Sequence, residues 1–168
     1  MNKENNIAFI DWQNLHLWIT SENWQIDLKK FRIFLRDKFQ IEEAYYFLWF
    51  ISDEEQVLYN CLQKAWFIVS FREHSAALKW KKKWNVDVDI VFEIMKKLVE
   101  KDEFNQIVLV SWDWDYKKVV DYLIRKNLLK KIIFPNWKHS SLYNKLWNSY
   151  FYYLKNAKDK IEYKKRGS

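Results

Sequence analysis

Hydrophobic and polar positions along this chain switch between two rhythms: short continuous apolar runs, and longer stretches that repeat every three to four residues. Ile7 to Ile10, Ala44 to Ile51, Phe67 to Phe71, Ile107 to Val110 and Lys131 to Phe134 are short runs, and each reads as a buried strand. Between them the helical repeat takes over. From Asp27 to Phe39 it puts Leu28, Phe31, Leu35 and Phe39 on one face, with Asp27 placed to cap the first turn. Ser52 and Glu55 have capping-box spacing and open a helix through Leu58, Cys61, Leu62 and Ala65. Further helices are predicted from Val86 to about Lys101 and from Asp115 to Lys126. Ser140 or Ser141 caps a last helix through Leu142, Leu146, Tyr150 and Tyr153. The aromatic run Tyr150 to Tyr153 is assigned to core packing on that helix rather than to base stacking. The stretch from Arg72 to Asn85 is polar and rich in lysine, and reads as a loop.

Strands alternating with helices predict an α/β fold: a single three-layer domain whose central, mainly parallel sheet of about five strands is covered on both faces. Residues 1–160 are expected to form that domain and 161–168 a charged C-terminal tail. In such sheets, sites lie beyond the carboxyl ends of the strands. Asp11 falls directly after the first strand, and Asp113 and Asp115 fall in the turn after the run Val108 to Val110.

Composition narrows the class. A chain of 168 residues with 49% hydrophobic and 30% charged positions folds around a core rather than remaining disordered. No run approaches the roughly 18 apolar residues of a membrane helix, and the N-terminus leads into a strand rather than a signal core, so the expected location is the cytoplasm and no membrane partner is expected. A single cysteine, Cys61, cannot form an internal disulfide, and His16, His74 and His139 have no zinc-like spacing and no nucleophile motif beside them. The net charge of +7 suits a polyanionic partner, though a lysine-rich surface also serves solubility alone. One number stands apart. The chain holds 1 glycine and 11 tryptophans, where average usage would give about 12 glycines.

The carboxylates carry the chemistry. Asp11 can either ligate a hard cation or simply cap the helix that follows, and Asn14, one turn on, can orient a water or a phosphate oxygen. Asp113 and Asp115 repel each other unless a cation or a proton lies between them, and only one is needed as a cap. Asp87 shares the inward stripe of its helix with Ile90, Val91, Ile94 and Leu98, where an unpartnered acid is costly; the rival explanation is its favourable place in the helix's first turn. Asp89 is expected on the solvated face, and Glu93 is a reserve candidate. No glycine-rich phosphate loop is present.

Three segments, Phe9 to Asn14, Lys83 to Val88 and Val110 to Tyr116, together resemble the NYN domains, a branch of the PIN-like metal-dependent ribonucleases. The family pattern is I-D-x-x-N after a strand, K-G-x-x-D at a helix start and S-G-D-x-D-[FY] after another strand. The resemblance runs from about residue 7 to 155 and includes Phe134 to Asn136 and Ser140 to Tyr143. It implies a PIN-like, Rossmann-like fold and an endoribonuclease whose acids Asp11, Asp87, Asp113 and Asp115 bind Mg²⁺ or Mn²⁺. Asn14 and Ser111 would be polar supports. Lys83, within the Lys79 to Lys83 group, and Lys117 are expected to guide the RNA backbone, single-stranded or structured, and a homodimer is left open.

At Trp12, Trp84, Trp112 and Trp114 this chain has tryptophan where the family usually has glycine. Trp66 stands just after a helix end, Trp80 and Trp84 punctuate the lysine loop, and Trp137 follows Pro135 and Asn136; few of the eleven look like core anchors. A gene whose UGA codons mean glycine, read with UGA as tryptophan, accounts for the pattern; natural tryptophan enrichment is the alternative. Two other functions remain open from residues alone. One is a nucleic-acid-binding module without catalysis, and the other a Toprim-like or phosphatase-like phosphotransfer enzyme.

Overall fold

The computed structural model describes residues 4–48, 56–71, 86–135, 146 and 148–164. Six strands, β1 (Asn6–Asp11), β2 (Ile41–Leu48), β3 (Ile68–Phe71), β4 (Ile107–Val110), β5 (Leu129–Phe134) and β6 (Phe151–Tyr153), form one sheet in the order β3-β2-β1-β4-β5-β6. Every neighbouring pair is parallel. The helices are α1 (Trp12–Ser21), α2 (Leu28–Phe39), α3 (Gln56–Lys64), α4 (Val86–Glu100), α5 (Lys117–Arg125) and the short α6 (Lys158–Ile161). Among the described residues no helix is long and apolar enough to cross a membrane.

Strand alternation sorts the core into two layers. Ala8, Ile10, Tyr46 and Val108 face one side and pack under α1, α2, α3 and α6. Ile7, Phe9, Phe47 and Leu109 face the other and pack under α4 and α5. Asp11 continues the phase of Ile7 and Phe9, and Ser111 that of Ile107 and Leu109, so both head for the α4 side. The chain runs outward from β1 to β3, then jumps back across to β4. The gap between β1 and β4 is therefore the point where strand order reverses, the place where open α/β sheets bind ligands.

Two expected elements differ. The last predicted helix is not formed in its described part: Asn148 to Tyr150 make a single 3₁₀ turn, and Phe151–Tyr153 becomes β6 on the sheet edge. Consecutive aromatics explain this, because a strand can send them to opposite faces. Phe151 and Tyr153 pack on Phe134, with ring centroids 5.2 and 5.9 Å away. Tyr152 turns to Phe34 and Phe39 at 5.8 and 5.4 Å. Helix α1 was not anticipated as a separate element; its buried stripe is Leu15, Trp18 and Ile19. The packed chain also reaches past residue 160, since Ile161 is buried and Glu162 bridges Ile26. The capping box at Ser52 and Glu55 and the lysine loop lie outside the described residues.

The tryptophans divide. Trp66 has φ 65° and is 82% exposed. Its N–H bonds to Gln63 O at 3.0 Å, and the Phe67 N–H bonds to Leu62 O at 3.1 Å. That pair of bonds is a Schellman ending, whose left-handed residue is usually glycine. Asn23 and Asn127 end α1 and α5 in the same left-handed region, which an amide side chain tolerates better than an indole. Trp18 and Trp24, in contrast, are core residues that meet edge to face at 5.4 Å. They correct the expectation that core anchors would be few among these indoles. At Trp12, Trp112 and Trp114 the backbone has no positive φ.

Candidate metal centre

Three elements bring acids to the β1–β4 gap. Helix α4 presents Asp87 from its first turn. The chain leaving β4 passes through Ser111 and enters a 3₁₀ turn, Trp114–Tyr116, capped by Asp113, whose carboxylate accepts the Asp115 N–H at 3.0 Å. Carboxylate oxygens of Asp87, Asp113 and Asp115 lie within 4.8 Å of one another. A spacing of this size lets one hard cation be shared among them.

Asp11 stands behind this trio. It is buried, and it caps α1 by accepting the Asn14 N–H at 3.2 Å. Its Oδ2 also accepts the Asn14 amide and, at 3.1 Å, the hydroxyl of Tyr116. Capping and membership of the site, posed above as rivals, are combined in one side chain. Tyr116 was quoted in the sequence only as the last letter of a motif. Its buried hydroxyl interacts with both Asp11 and Asp87, linking the acid behind to the acid in front. The only prior signal was a tyrosine directly after the acid pair.

The supporting residues form a network. Asn14 donates to Ser111 Oγ at 3.2 Å, and Ser111 Oγ accepts the Asp113 N–H at 3.1 Å. The Trp112 indole N–H donates to Asn14 Oδ1. The amide of Asn14 is thus held on both sides. Lys117 lies on the first turn of α5 and pairs with Asp121, one helical turn on. Glu93 pairs with Lys96 at 3.8 Å and, like Asp89, is outside the trio. Lys83 lies outside the described residues.

Crowding of like charge shows in the protonation equilibria. Burial raises the carboxyl of Asp11, partly offset by hydrogen bonds from Asn14 and Tyr116. Asp87 is raised from 3.8 to about 6, first by burial and then by the negative charge of Asp11, Asp113 and Asp115, against the hydrogen bond from Tyr116. Tyr116 is raised by burial and by the same anions, so its hydroxyl stays a donor. Acids that strain to ionise together are the donor set a divalent cation relieves.

A parallel α/β sheet with clustered carboxylates at its strand-order reversal defines a class of acidic, metal-competent sites. Residues 6–155 match the family model described as NYN domain, and the chain belongs to that family, one of PIN-like nucleases. No curated protein matches it. Among solved structures, a protein of unknown function from Vibrio parahaemolyticus is similar in fold, with a TM-score of 0.63 and 18% identity over 79% of this chain and 80% of that one.

Proposed function

We propose that this chain is an endoribonuclease that hydrolyses RNA phosphodiester bonds with Mg²⁺ or Mn²⁺ held by Asp87, Asp113 and Asp115. The observation that carries the reading is the convergence of these three carboxylates, from two separate elements, beside buried Asp11 in a chain of the NYN family. A bound divalent ion supplies Lewis-acid stabilisation of phosphoryl charge and a more acidic water. The protein's own part is positional and electrostatic. Asp11 and Asn14 tie the β1 end to the β4 end through Ser111, which fixes the turn bearing Asp113 and Asp115. Tyr116 holds Asp11 and Asp87 side by side without adding charge. Asp87, titrating at about 6, is the group best matched to accept a proton near neutral pH.

Unpaired RNA is the favoured form of substrate. A cleft of about 860 Å³ begins at Trp12, the neighbour of Asp11, and is lined by Trp12, His16, Trp24 and Tyr163 among others. Aromatic faces of this kind stack bases without regard to sequence. The net charge of +7 supports a polyanionic partner, and Lys83 and Lys117 would meet the backbone.

The test is cleavage of a labelled single-stranded RNA with Mg²⁺, with Mn²⁺ and with chelator, by wild type and by Asp113→Asn. Cleavage that needs metal and is lost in the variant supports the reading. Equal cleavage by a pure Asp113→Asn sample refutes it. RNA binding without cleavage in either metal makes the protein a binding module instead.

A further inference from the structure

Helix α4 buries one face against the sheet through Val86, Ile90, Ile94 and Lys97. Its opposite face is also apolar. Val88, Phe92, Met95 and Val99 are exposed by 56%, 66%, 36% and 76%. Their spacing of four, three and four is the seam spacing of packed helix pairs, and it places all four in one narrow stripe. Single exposed apolar residues mean little, but a continuous stripe over three turns marks a contact surface. One flank of the stripe carries Asp89, Glu93, Lys96 and Glu100, while the other carries the partly buried Val91 and Leu98.

We propose that α4 is a self-association surface, on which a second copy of this chain docks its own α4 antiparallel. The charges choose this occupant and this orientation. In a two-fold pair, like flanks meet like flanks with the chain direction reversed. Centring the pair between Phe92 and Met95 sets Val88 against the partner copy's position 99 and Phe92 against its position 95. Lys96 then falls between positions 89 and 93 of the second copy, both acidic. A parallel pair would set Lys96 against Lys96 and Glu93 against Glu93. The hydrophobic flanks meet on the far side and widen the seam. The helix has 15 residues and so a length of about 22 Å. A seam that short gives a reversible, concentration-dependent dimer rather than an obligate one. Asp87 lies at one end of α4, so the two acid clusters sit at opposite ends of the paired helices. The dimer does not depend on the ribonuclease reading, and RNA cleavage is not its readout.

Sedimentation velocity over a wide concentration range is the experiment, with circular dichroism and melting of each variant to show that it is folded. Wild type is expected to move from one chain to two as concentration rises. Phe92→Lys should weaken the dimer about tenfold or more, as for a central apolar anchor. Lys96→Glu should weaken it as well, and the double exchange Asp89→Lys with Lys96→Glu should restore it. A wild type that stays monomeric at millimolar concentration overturns the proposal. So does a dimer indifferent to Phe92→Lys. A dimer broken by Phe92→Lys but indifferent to Lys96→Glu overturns the antiparallel register. Should Phe92→Lys fail to fold, the exchange of positions 89 and 96 decides alone.

Discussion

Replacing Asp87 with asparagine should make the metal-free protein more stable at neutral pH while removing its affinity for a divalent cation. The Asp87 carboxyl titrates at about 6 instead of 3.8, because it is half-buried and faces Asp11, Asp113 and Asp115. A raised carboxyl favours the protonated folded state. The stability it lends is fully present below about pH 3.8 and is lost as pH rises through about 6. The shift of roughly two units would be worth at most about 3 kcal/mol at about 1.4 kcal/mol each. Solvent reaches a half-buried group, and after that screening about 1 kcal/mol remains. In a domain of this length, 1 kcal/mol corresponds to roughly 2–4 °C in melting temperature. Asparagine keeps the shape and never ionises, so its advantage should be small near pH 4, open between pH 4 and 6, and level off above.

Thermal melts of both proteins in chelator across that pH range measure the effect. Adding Mg²⁺ or Mn²⁺ should reverse the order, since only wild type gains by linkage to a bound cation. Calorimetric titration near pH 6 should also show protons released on metal binding, because the cation draws Asp87 into its ionised form. An asparagine variant that melts at or below wild type at pH 8 in chelator refutes the reasoning. An advantage that persists undiminished at pH 4 does so equally.

Tyr116→Phe removes a buried hydroxyl that donates to Asp11 and contacts Asp87; the loss should destabilise the protein by about 1.5–3 kcal/mol, as for hydrogen bonds to charged groups, and raise the Asp87 titration further, both readable by denaturant melts and by NMR titration. A Tyr116→Phe protein with wild-type stability and an unmoved Asp87 would remove the bridge from the account. Trp66→Gly should stabilise by up to about 1 kcal/mol: release from the left-handed conformation is worth about 1–2 kcal/mol and is partly offset by the glycine's entropy. The Arg32 bond to the residue 66 carbonyl is kept, being to the backbone. Trp18→Gly should do the opposite, losing about 3–5 kcal/mol from the core and about 1 more from the helix; paired urea titrations test both, and a destabilised Trp66→Gly would contradict the strain at that turn. Reading the codons at Trp12, Trp66, Trp112 and Trp114 tests the UGA account directly, and any codon other than UGA there ends it.

What the sequence made legible follows physical period. Four strands were placed within three residues because apolar runs such as Ile107–Val110 and Leu129–Phe134 are buried on both faces and admit no other reading. Helix α2 was legible to its cap, since the Asp27 carboxylate accepts the Lys30 N–H at 3.1 Å. Strand β6 was not, because Tyr150 to Tyr153 offers apolar residues at every offset. Only the sheet edge of β5 decides between helix and strand there. Helix α1 was hidden because its stripe contains Trp18, an indole that the glycine argument discounted.

The acids were legible as candidates but not as an arrangement. Spacing placed Asp87 on the inward face of α4 and Asp113 and Asp115 in one turn, and the structure joins those three. Nothing in spacing shows that Asp11 turns its oxygens to Asn14 and Tyr116 rather than into the trio, because that depends on the register of β1 against β4. The tryptophans sharpen the same distinction. Trp66 sits where the backbone itself asks for glycine, so its case rests on conformation. Trp112 and Trp114 sit where the backbone asks for nothing of the kind, so any case for glycine there rests on room beside the acids. The Trp112 indole already occupies Asn14 Oδ1, an acceptor that a glycine would leave open to water or substrate. Substituting glycine at position 66 should therefore register in stability, and at position 112 in what the site can bind.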